Sequence, residues 1–199
     1  MRSKELIVAT KNKKKLEEIK AILKGLDLKI TSLLDYKGLP EIIEDGETFA
    51  ENAIKKATTI ANHTGRLVMG EDSGLEVKAL GMKPGIYSAR YSGKGATDKK
   101  NNLKLLKELK GVPLKERVAR YQCAAALADA NGVIGVVSGK CYGLIGFKPK
   151  GSCGFGYDPF FIIEKYGKTF GELGTEIKHK MSHRYKALKK IKVLLRKIL

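Results

Sequence analysis

The chain has 199 residues, 43% of them hydrophobic, and a formal net charge of +18 from 39 Lys and Arg against 21 Asp and Glu. This length fits one domain with a substantial core, and the composition argues against disorder. The charge favours anionic partners such as nucleotides, nucleic acid or a lipid surface, with a lysine-rich solvated surface as the alternative explanation. Three cysteines without metal spacing, and the absence of a signal peptide or membrane-spanning run, lead us to expect a cytoplasmic protein.

The first half of the chain alternates between strand and helix patterns. Residues 6–9 predict a buried strand, and residues 10–15 a polar loop that enters a helix ending at Gly25. A second strand is predicted near residues 28–34, and Phe49 opens a second run at helical spacing. This β-α-β-α order predicts an α/β fold whose strands are covered by helices.

The second half of the chain changes character. A glycine-punctuated stretch over residues 81–95 precedes a predicted helix that carries Leu103. Strand-like runs over residues 117–129 and 133–147 meet at Asn131-Gly132, which predicts a long hairpin and therefore a mixed sheet. The last three predicted segments are a glycine-rich loop, a strand and an amphipathic C-terminal helix, at residues 151–159, 160–163 and 185–198.

Acidic residues concentrate in one part of the chain. Eight of the 21 fall between Glu41 and Glu76, and the adjacent pair Glu71-Asp72 sits where an apolar strand is expected to break off. Side chains at a strand end project into a cleft, and neighbouring carboxylates repel unless a cation or proton intervenes. Glu44, Glu71 and Asp72 are hard oxygen donors suited to Mg²⁺, although a helix cap or a surface acid explains Glu44 equally well.

The polar loop after the first strand is a candidate phosphate site. The chain contains neither a P-loop nor a dinucleotide-binding glycine pattern in this place. Backbone N–H groups, a helix N-terminus and several ammonium groups instead converge there, supplied by Thr10, Lys11, Asn12, Lys13, Lys14 and Lys15. The alternative is that these lysines are simply solvated.

Two later segments are candidates for binding a flat ligand. Phe155 and Asp158 lie in the glycine-rich loop, where an aromatic ring can stack on a base, although Phe155 can equally be a core residue. The triplet Ser182-His183-Arg184 offers three donors in a row, which a helix N-cap followed by surface residues also explains.

These segments, taken together and in order, resemble the inosine/xanthosine triphosphate pyrophosphatase family, which hydrolyses non-standard purine nucleoside triphosphates to monophosphate and pyrophosphate. The resemblance runs nearly end to end. Its carriers are Ala9-Thr10 with Asn12 and Lys15, the segment 46–53 with Lys56-Ala57, and the segments 71–75, 84–91, 154–159 and 182–184. It implies an elongated mixed sheet flanked by helices, two lobes without a linker over residues 1–199, an active site in the groove between them, and a homodimer.

The resemblance also implies residue roles. Asp72 would bind Mg²⁺ and activate the attacking water, with Glu44 and Glu71 as its acidic neighbours at the metal. Lys15 and Lys56 would act on the phosphates, and residues 10–15 with Ser73 would line the triphosphate. The residues that would bind the rest of the substrate, chiefly the base, are Phe155, Gly156, Tyr157, Asp158, Lys178, His183 and Arg184.

The sequence departs from the family pattern at two places. Lys11 and Lys14 occupy the two positions where bacterial members usually carry glycine, and Glu71 stands where many carry a second Asp. The first change makes the loop stiffer and more positive, and the second shifts the reach of a carboxylate.

Two alternative hypotheses follow from the strongly positive net charge. Residues 178–199 contain nine Lys and Arg and no acidic residue. One hypothesis is that the protein binds nucleic acid without catalysing a reaction. The other is that the C-terminal helix lies on a membrane surface. The acidic cluster argues against the first, and packing of Leu188, Ile191 and Leu195 inside the protein argues against the second. We therefore predict a purine nucleoside triphosphate as substrate, with no stable nucleic-acid or membrane partner.

Overall fold

The computed structural model describes residues 4–199. A mixed sheet has its strands in the order β2-β1-β3-β4-β5-β6-β7, with β1 parallel to β2 and β3, and β6 antiparallel to β5 and β7. The strands are β1 Lys4–Val8, β2 Leu28–Ser32, β3 Val68–Val77, β4 Val118–Asp129, β5 Gly132–Ile145, β6 Phe161–Ile163 and β7 Lys168–Thr169. The α-helices are α1 Lys13–Leu23, α2 Phe49–Thr64, α3 Asp98–Glu108, α4 Phe170–Met181 and α5 His183–Ile198. The predicted α/β fold with a mixed sheet is confirmed.

The described residues form two compact units. Unit 1 comprises residues 4–72, 123–139 and 183–199, and unit 2 comprises residues 73–122 and 140–182. Strands β3, β4 and β5 contribute residues to both. The single domain and the active-site groove between two lobes stay predictions. A separate finding is that residues 4–199 contain no helix with the length and hydrophobicity of a membrane span.

Unit 1 is built around β1 and β3, with helices packed on them. Leu6 and Val8 of β1 and Met69 of β3 share one buried cluster with the apolar faces of α1 and α5, including Leu188, Ile191 and Leu195 as predicted. Gly70 marks where α2 touches β3, because a Cβ built there would lie 2.0 Å from the carbonyl oxygen of Ala53. Only glycine permits this approach, which brings the polar side chains of α2 to the acids of β3.

Unit 2 has an aromatic core. The ring of Phe161 lies 4.6 Å from that of Tyr121 and 5.5 Å from that of Phe170, measured between centroids. Leu105 and Leu109 of the α3 segment are fully buried in the same cluster, whereas Leu103 is exposed. The helix expected there is confirmed. Of its three predicted apolar residues, Leu106 and Leu109 pack in this cluster and Leu103 does not.

The predicted strand break at Glu71-Asp72 is wrong. β3 continues through both acids to Val77, so they lie in the middle of a ten-residue strand. The strand can continue because neighbouring cations and an amide compensate both carboxylates, and because Leu75 and Val77 enter the core of unit 2. The hairpin at Asn131-Gly132 is confirmed by β4 and β5.

Candidate active site

The loop before α1 is shaped by its own polar side chains. Asn12 caps α1, its Oδ1 accepting the N–H of Lys15 at 3.2 Å, and the hydroxyl of Thr10 accepts the N–H of Asn12 at the same distance. Lys11, Lys13 and Lys14 are exposed. A helix N-terminus surrounded by ammonium groups attracts phosphate, so this segment has the chemistry expected of a triphosphate site.

Asp72 lies in a buried polar pocket between β3 and α2. Its Oδ1 is 3.0 Å from Lys56 Nζ, and its Oδ2 accepts from Asn52 Nδ2 at 3.3 Å. Asn52 and Lys56 are four residues apart on α2 and so occupy the same helix face. Lys56 Nζ also lies 2.8 Å from Glu44 Oε2, so one ammonium joins two carboxylates.

The surroundings of this ion pair change the proton affinity of both partners. Burial raises the pKa of the Asp72 carboxyl, against the opposing charges of Lys56 and Lys15. Burial by itself would lower the pKa of Lys56, but the carboxylates of Asp72 and Glu44 outweigh it and raise that pKa. The result is a carboxylate with increased affinity for a proton beside an ammonium that also holds its proton more tightly.

Glu71 has a separate set of partners. Lys15 Nζ is 2.9 Å from Glu71 Oε2, and Arg184 approaches Glu71 Oε1 with Nη2 at 2.9 Å and Nε at 3.2 Å. Successive side chains of a strand point to opposite faces, which explains why the carboxylates of Glu71 and Asp72 have different direct ion-pair partners. The buried thiol of Cys123 also donates to Glu71 Oε1, at 3.3 Å.

Arg184 is held in the interior of unit 1 rather than at its surface. It is 1% exposed and pairs with Glu18 of α1 as well as with Glu71 of β3. Burial works against its charge, yet the two carboxylates raise its pKa. Arg184 therefore connects α5, α1 and β3, and through Glu71 it is linked to Lys15.

The glycine-rich loop of unit 2 is organised around Asp158. Its Oδ2 accepts the N–H of Phe155 at 2.8 Å and lies 2.7 Å from Lys178 Nζ, and Tyr121 also hydrogen-bonds this carboxylate. The ammonium of Lys178 is 4.6 Å from the centroid of the Phe155 ring. Gly154 is required here, because a Cβ would lie 2.1 Å from Asp158 Oδ2.

The remaining predicted residues have simpler placements. Ser73 follows Asp72 on β3 and is partly exposed, whereas His183 is buried at the first residue of α5. Ser182 is the C-cap of α4, and its N–H donates to the carbonyl of Lys178. Gly156 and Tyr157 follow Phe155 in the glycine-rich loop, the hydroxyl of Tyr157 donating to the carbonyl of Ser88.

The structure groups the predicted residues into three clusters. Unit 1 contains the Asp72–Lys56–Glu44 cluster and the Glu71–Lys15–Arg184 cluster, and unit 2 contains the Phe155–Asp158–Lys178 cluster. Among residues 4–199 no group of three or more His, Cys, Asp and Glu is arranged to hold a metal by itself.

Sequence reasoning gave no role to Glu18 and Asn52. Asn52 lies in one of the segments that carry the family resemblance, which was the only signal for it. Glu18 gave none, because an acid beside Ile19 on a lysine-rich helix has the pattern of a solvated residue.

The fold is α/β with a mixed sheet, and its site combines a buried carboxylate–ammonium pair with a lysine-rich helix N-terminus. These features are typical of proteins that act on phosphorylated ligands. Residues 6–194 match the Ham1 family, and the chain belongs to that family. The resemblance inferred from the sequence is thereby confirmed.

The relatives match over almost their whole length. The dITP/XTP pyrophosphatase of Geobacter sulfurreducens is 51% identical over 187 residues, which cover 94% of each chain. That of Desulforamulus reducens is 47% identical and covers 98% of this chain and 96% of its own. Among solved structures, a HAM1 protein from Coxiella burnetii has a TM-score of 0.89 at 36% identity, covering 98% of this chain and 99% of its own.

Proposed function

We propose that this protein hydrolyses non-standard purine nucleoside triphosphates, namely ITP, dITP and XTP, to the nucleoside monophosphate and pyrophosphate. The observation that carries the proposal is the buried Asp72–Lys56 pair, joined at its ammonium by the exposed Glu44, which places a proton acceptor beside a positive charge. Relatives named dITP/XTP pyrophosphatase, aligned over nearly the full chain, support the same activity.

In the proposed reaction, water attacks the α-phosphorus of the triphosphate. The new bond joins the water oxygen to the α-phosphorus, the bond to the oxygen bridging to the β-phosphorus breaks, and pyrophosphate leaves with that electron pair. Asp72 accepts the proton of the water, a role supported by its position and by its increased proton affinity. Lys15 and Lys56 stabilise the negative charge of the phosphates.

The acidic residues fit a Mg²⁺ ion in part. Mg²⁺ is usually held by one or two protein carboxylates, with water and substrate phosphates completing its six ligands. Asp72 and Glu44 meet this need, because both carboxylates already converge on one cation, the ammonium of Lys56. Glu71 is engaged by Lys15 and Arg184, so we propose it as a neighbour of the site rather than a direct ligand. Bound Mg²⁺ would polarise the phosphate oxygens and neutralise their charge.

Base recognition is proposed for the glycine-rich loop of unit 2. The ring of Phe155 would stack on the purine, and the ammonium of Lys178 beside that ring would favour an acceptor over a donor. Hypoxanthine and xanthine carry a 6-oxo acceptor where adenine carries an amino donor. A site that hydrogen-bonds a defining group rejects an analogue lacking it by up to about 10⁴-fold.

The decisive experiment measures pyrophosphate release from ITP, dITP, XTP, GTP and ATP, each with Mg²⁺ and with excess EDTA. We expect rapid cleavage of the first three, much slower cleavage of GTP and ATP, and no activity in EDTA. Comparable turnover of ATP would contradict the substrate assignment, and full activity in EDTA would contradict the metal. Tight, strongly salt-dependent binding of nucleic acid, without cleavage of any triphosphate, would instead favour a nucleic-acid-binding protein.

Assembly and location complete the proposal. We propose a cytoplasmic homodimer that binds its nucleotide substrate without a stable nucleic-acid or membrane partner. Light scattering of the purified protein tests the first part, since the chain mass is 21.9 kDa and a dimer doubles it.

A further inference from the structure

Two residues of α3 hold one glycine of the loop proposed to recognise the base. Asp98 Oδ2 accepts the N–H of Gly156 at 2.8 Å, and Asn102 Nδ2 donates to the carbonyl oxygen of Gly156 at 2.9 Å. Asp98 and Asn102 are four residues apart and therefore lie on the same face of α3. Together they bind both backbone polar groups of a single residue.

Gly156 belongs to the backbone that carries the Phe155 ring. Gly156 has a φ of 63°, in the left-handed region, and directly follows Phe155. On its other side the loop is held by Asp158, whose carboxylate binds the N–H of Phe155. The backbone on both sides of the ring is thus hydrogen-bonded, from α3 and from within the loop.

Asn102 makes this contact although one of its polar atoms is left unsatisfied. Its Oδ1 is buried and has no hydrogen-bond partner. An apolar side chain in this place would avoid a buried, unsatisfied acceptor, but it could not bind the Gly156 carbonyl. The side chain is therefore explained by its bond to the loop rather than by packing.

We infer that Asp98 and Asn102 are positioning residues for base recognition, acting on substrate only through Gly156. They restrict a glycine that would otherwise sample many conformations, and so keep the Phe155 ring oriented for stacking. This inference rests on the proposed function of the Phe155 loop. It assigns to α3 a part in substrate affinity that the proposed chemistry does not include.

The test uses the full-length protein and the variants Asp98→Ala, Asn102→Ala and Asp98→Asn, with Lys99→Ala as the control on an exposed neighbouring residue. Three properties are measured: steady-state hydrolysis of ITP, hydrogen exchange of the Gly156 amide by NMR, and the melting temperature. Asp98→Ala removes a charge-assisted hydrogen bond and should raise KM about 10-fold. Asn102→Ala removes a neutral hydrogen bond and should raise KM about 5-fold. In both variants kcat should stay within about twofold of the wild-type value.

Asp98→Asn separates positioning from the stability of α3. Asp98 also lies in the first turn of α3, where its charge favours the helix dipole, so its loss can destabilise the helix. Asn keeps an oxygen that can accept the Gly156 N–H, and should restore KM to within about threefold of wild type. Gly156 exchange should be faster in Asp98→Ala, and close to wild type in Asp98→Asn and Lys99→Ala.

Each other outcome is informative. An unchanged KM in Asp98→Ala with faster Gly156 exchange would overturn the inference, and so would a lower melting temperature with KM unaffected. If the wild-type protein cleaves none of the triphosphates, the proposed function fails by itself. In that case the dissociation constant of IMP is measured calorimetrically for the wild type and the same variants. Equal IMP affinity in wild type and Asp98→Ala, or no IMP binding to any of the proteins, would overturn the positioning role.

Discussion

The ammonium of Lys56 and the carboxylate of Asp72 form a buried ion pair between α2 and β3, with Nζ and Oδ1 3.0 Å apart. The close approach of the two elements at Gly70 makes this pair possible, since any larger residue would push α2 away from the strand. A buried charge without a partner is strongly unfavourable, so each residue lowers the energetic cost of the other's charge. The pair is the basis of the proposed chemistry.

Replacing Asp72 by Asn should abolish most of the activity. Asn has nearly the same shape and can still offer one oxygen to a metal, but it carries no charge and cannot accept the proton of the attacking water. We expect turnover of ITP to fall by about 10² to 10⁴, the usual contribution of general acid–base catalysis. The measurement is pyrophosphate release at saturating ITP and Mg²⁺, with ITP affinity determined separately. A folded variant that retains more than about a tenth of wild-type turnover would rule out the assignment.

Replacing Phe155 by Ala should weaken nucleotide binding by about 1 to 3 kcal/mol, the range for loss of one aromatic stacking partner. Phe147→Ala is the matched control, because Phe147 is an exposed aromatic residue of unit 2 whose ring contacts Arg117 instead. Calorimetric titration of both variants with IMP makes the comparison. Equal affinities would return Phe155 to the role of a packing residue.

Replacing Arg184 by Met should destabilise unit 1 by about 3 to 5 kcal/mol, because Glu18 and Glu71 would each lose a buried cationic partner. Arg196→Ala provides the control, since Arg196 is an exposed arginine of the same helix. Urea denaturation followed by circular dichroism gives the free energy of unfolding for both. A loss below about 1 kcal/mol in Arg184→Met would show that the network is not a major source of stability.

The N-terminus of α4 should lose part of its stability in acid. Backbone hydrogen bonding to Thr169 lowers the pKa of Glu172, whose carboxylate closes the capping box of this helix. A carboxyl whose pKa is lower in the folded state contributes stability above its unfolded pKa, and loses it as pH falls through the folded value. Glu172→Gln should therefore be less stable than wild type at pH 7. The difference should shrink below about pH 4, the ordinary pKa of a glutamate, as the pH falls through the lower pKa of the folded state. Melting temperatures across this range are the measurement, and a difference that grows in acid would contradict the sign.

Elements whose signals are local could be predicted from the sequence alone. Apolar periodicity located α1, α2 and α5, and Asn131-Gly132 located the hairpin, because helix faces and tight turns depend on residues only a few positions apart. The glycine-rich α4 was not predicted, since Gly171 and Gly174 interrupt its helical pattern and the second of these has non-helical backbone angles.

The pairing of the buried charged residues could not be predicted, because it depends on contacts between distant parts of the chain. Arg184 has the sequence context of a surface donor, yet its partner Glu71 lies 113 positions away and its partner Glu18 lies 166 positions away. Glu71 and Asp72 are adjacent in sequence, but the strand directs them to different partners. No local pattern encodes such pairs, because a buried charge is stabilised by whichever opposite charge the folded chain places beside it.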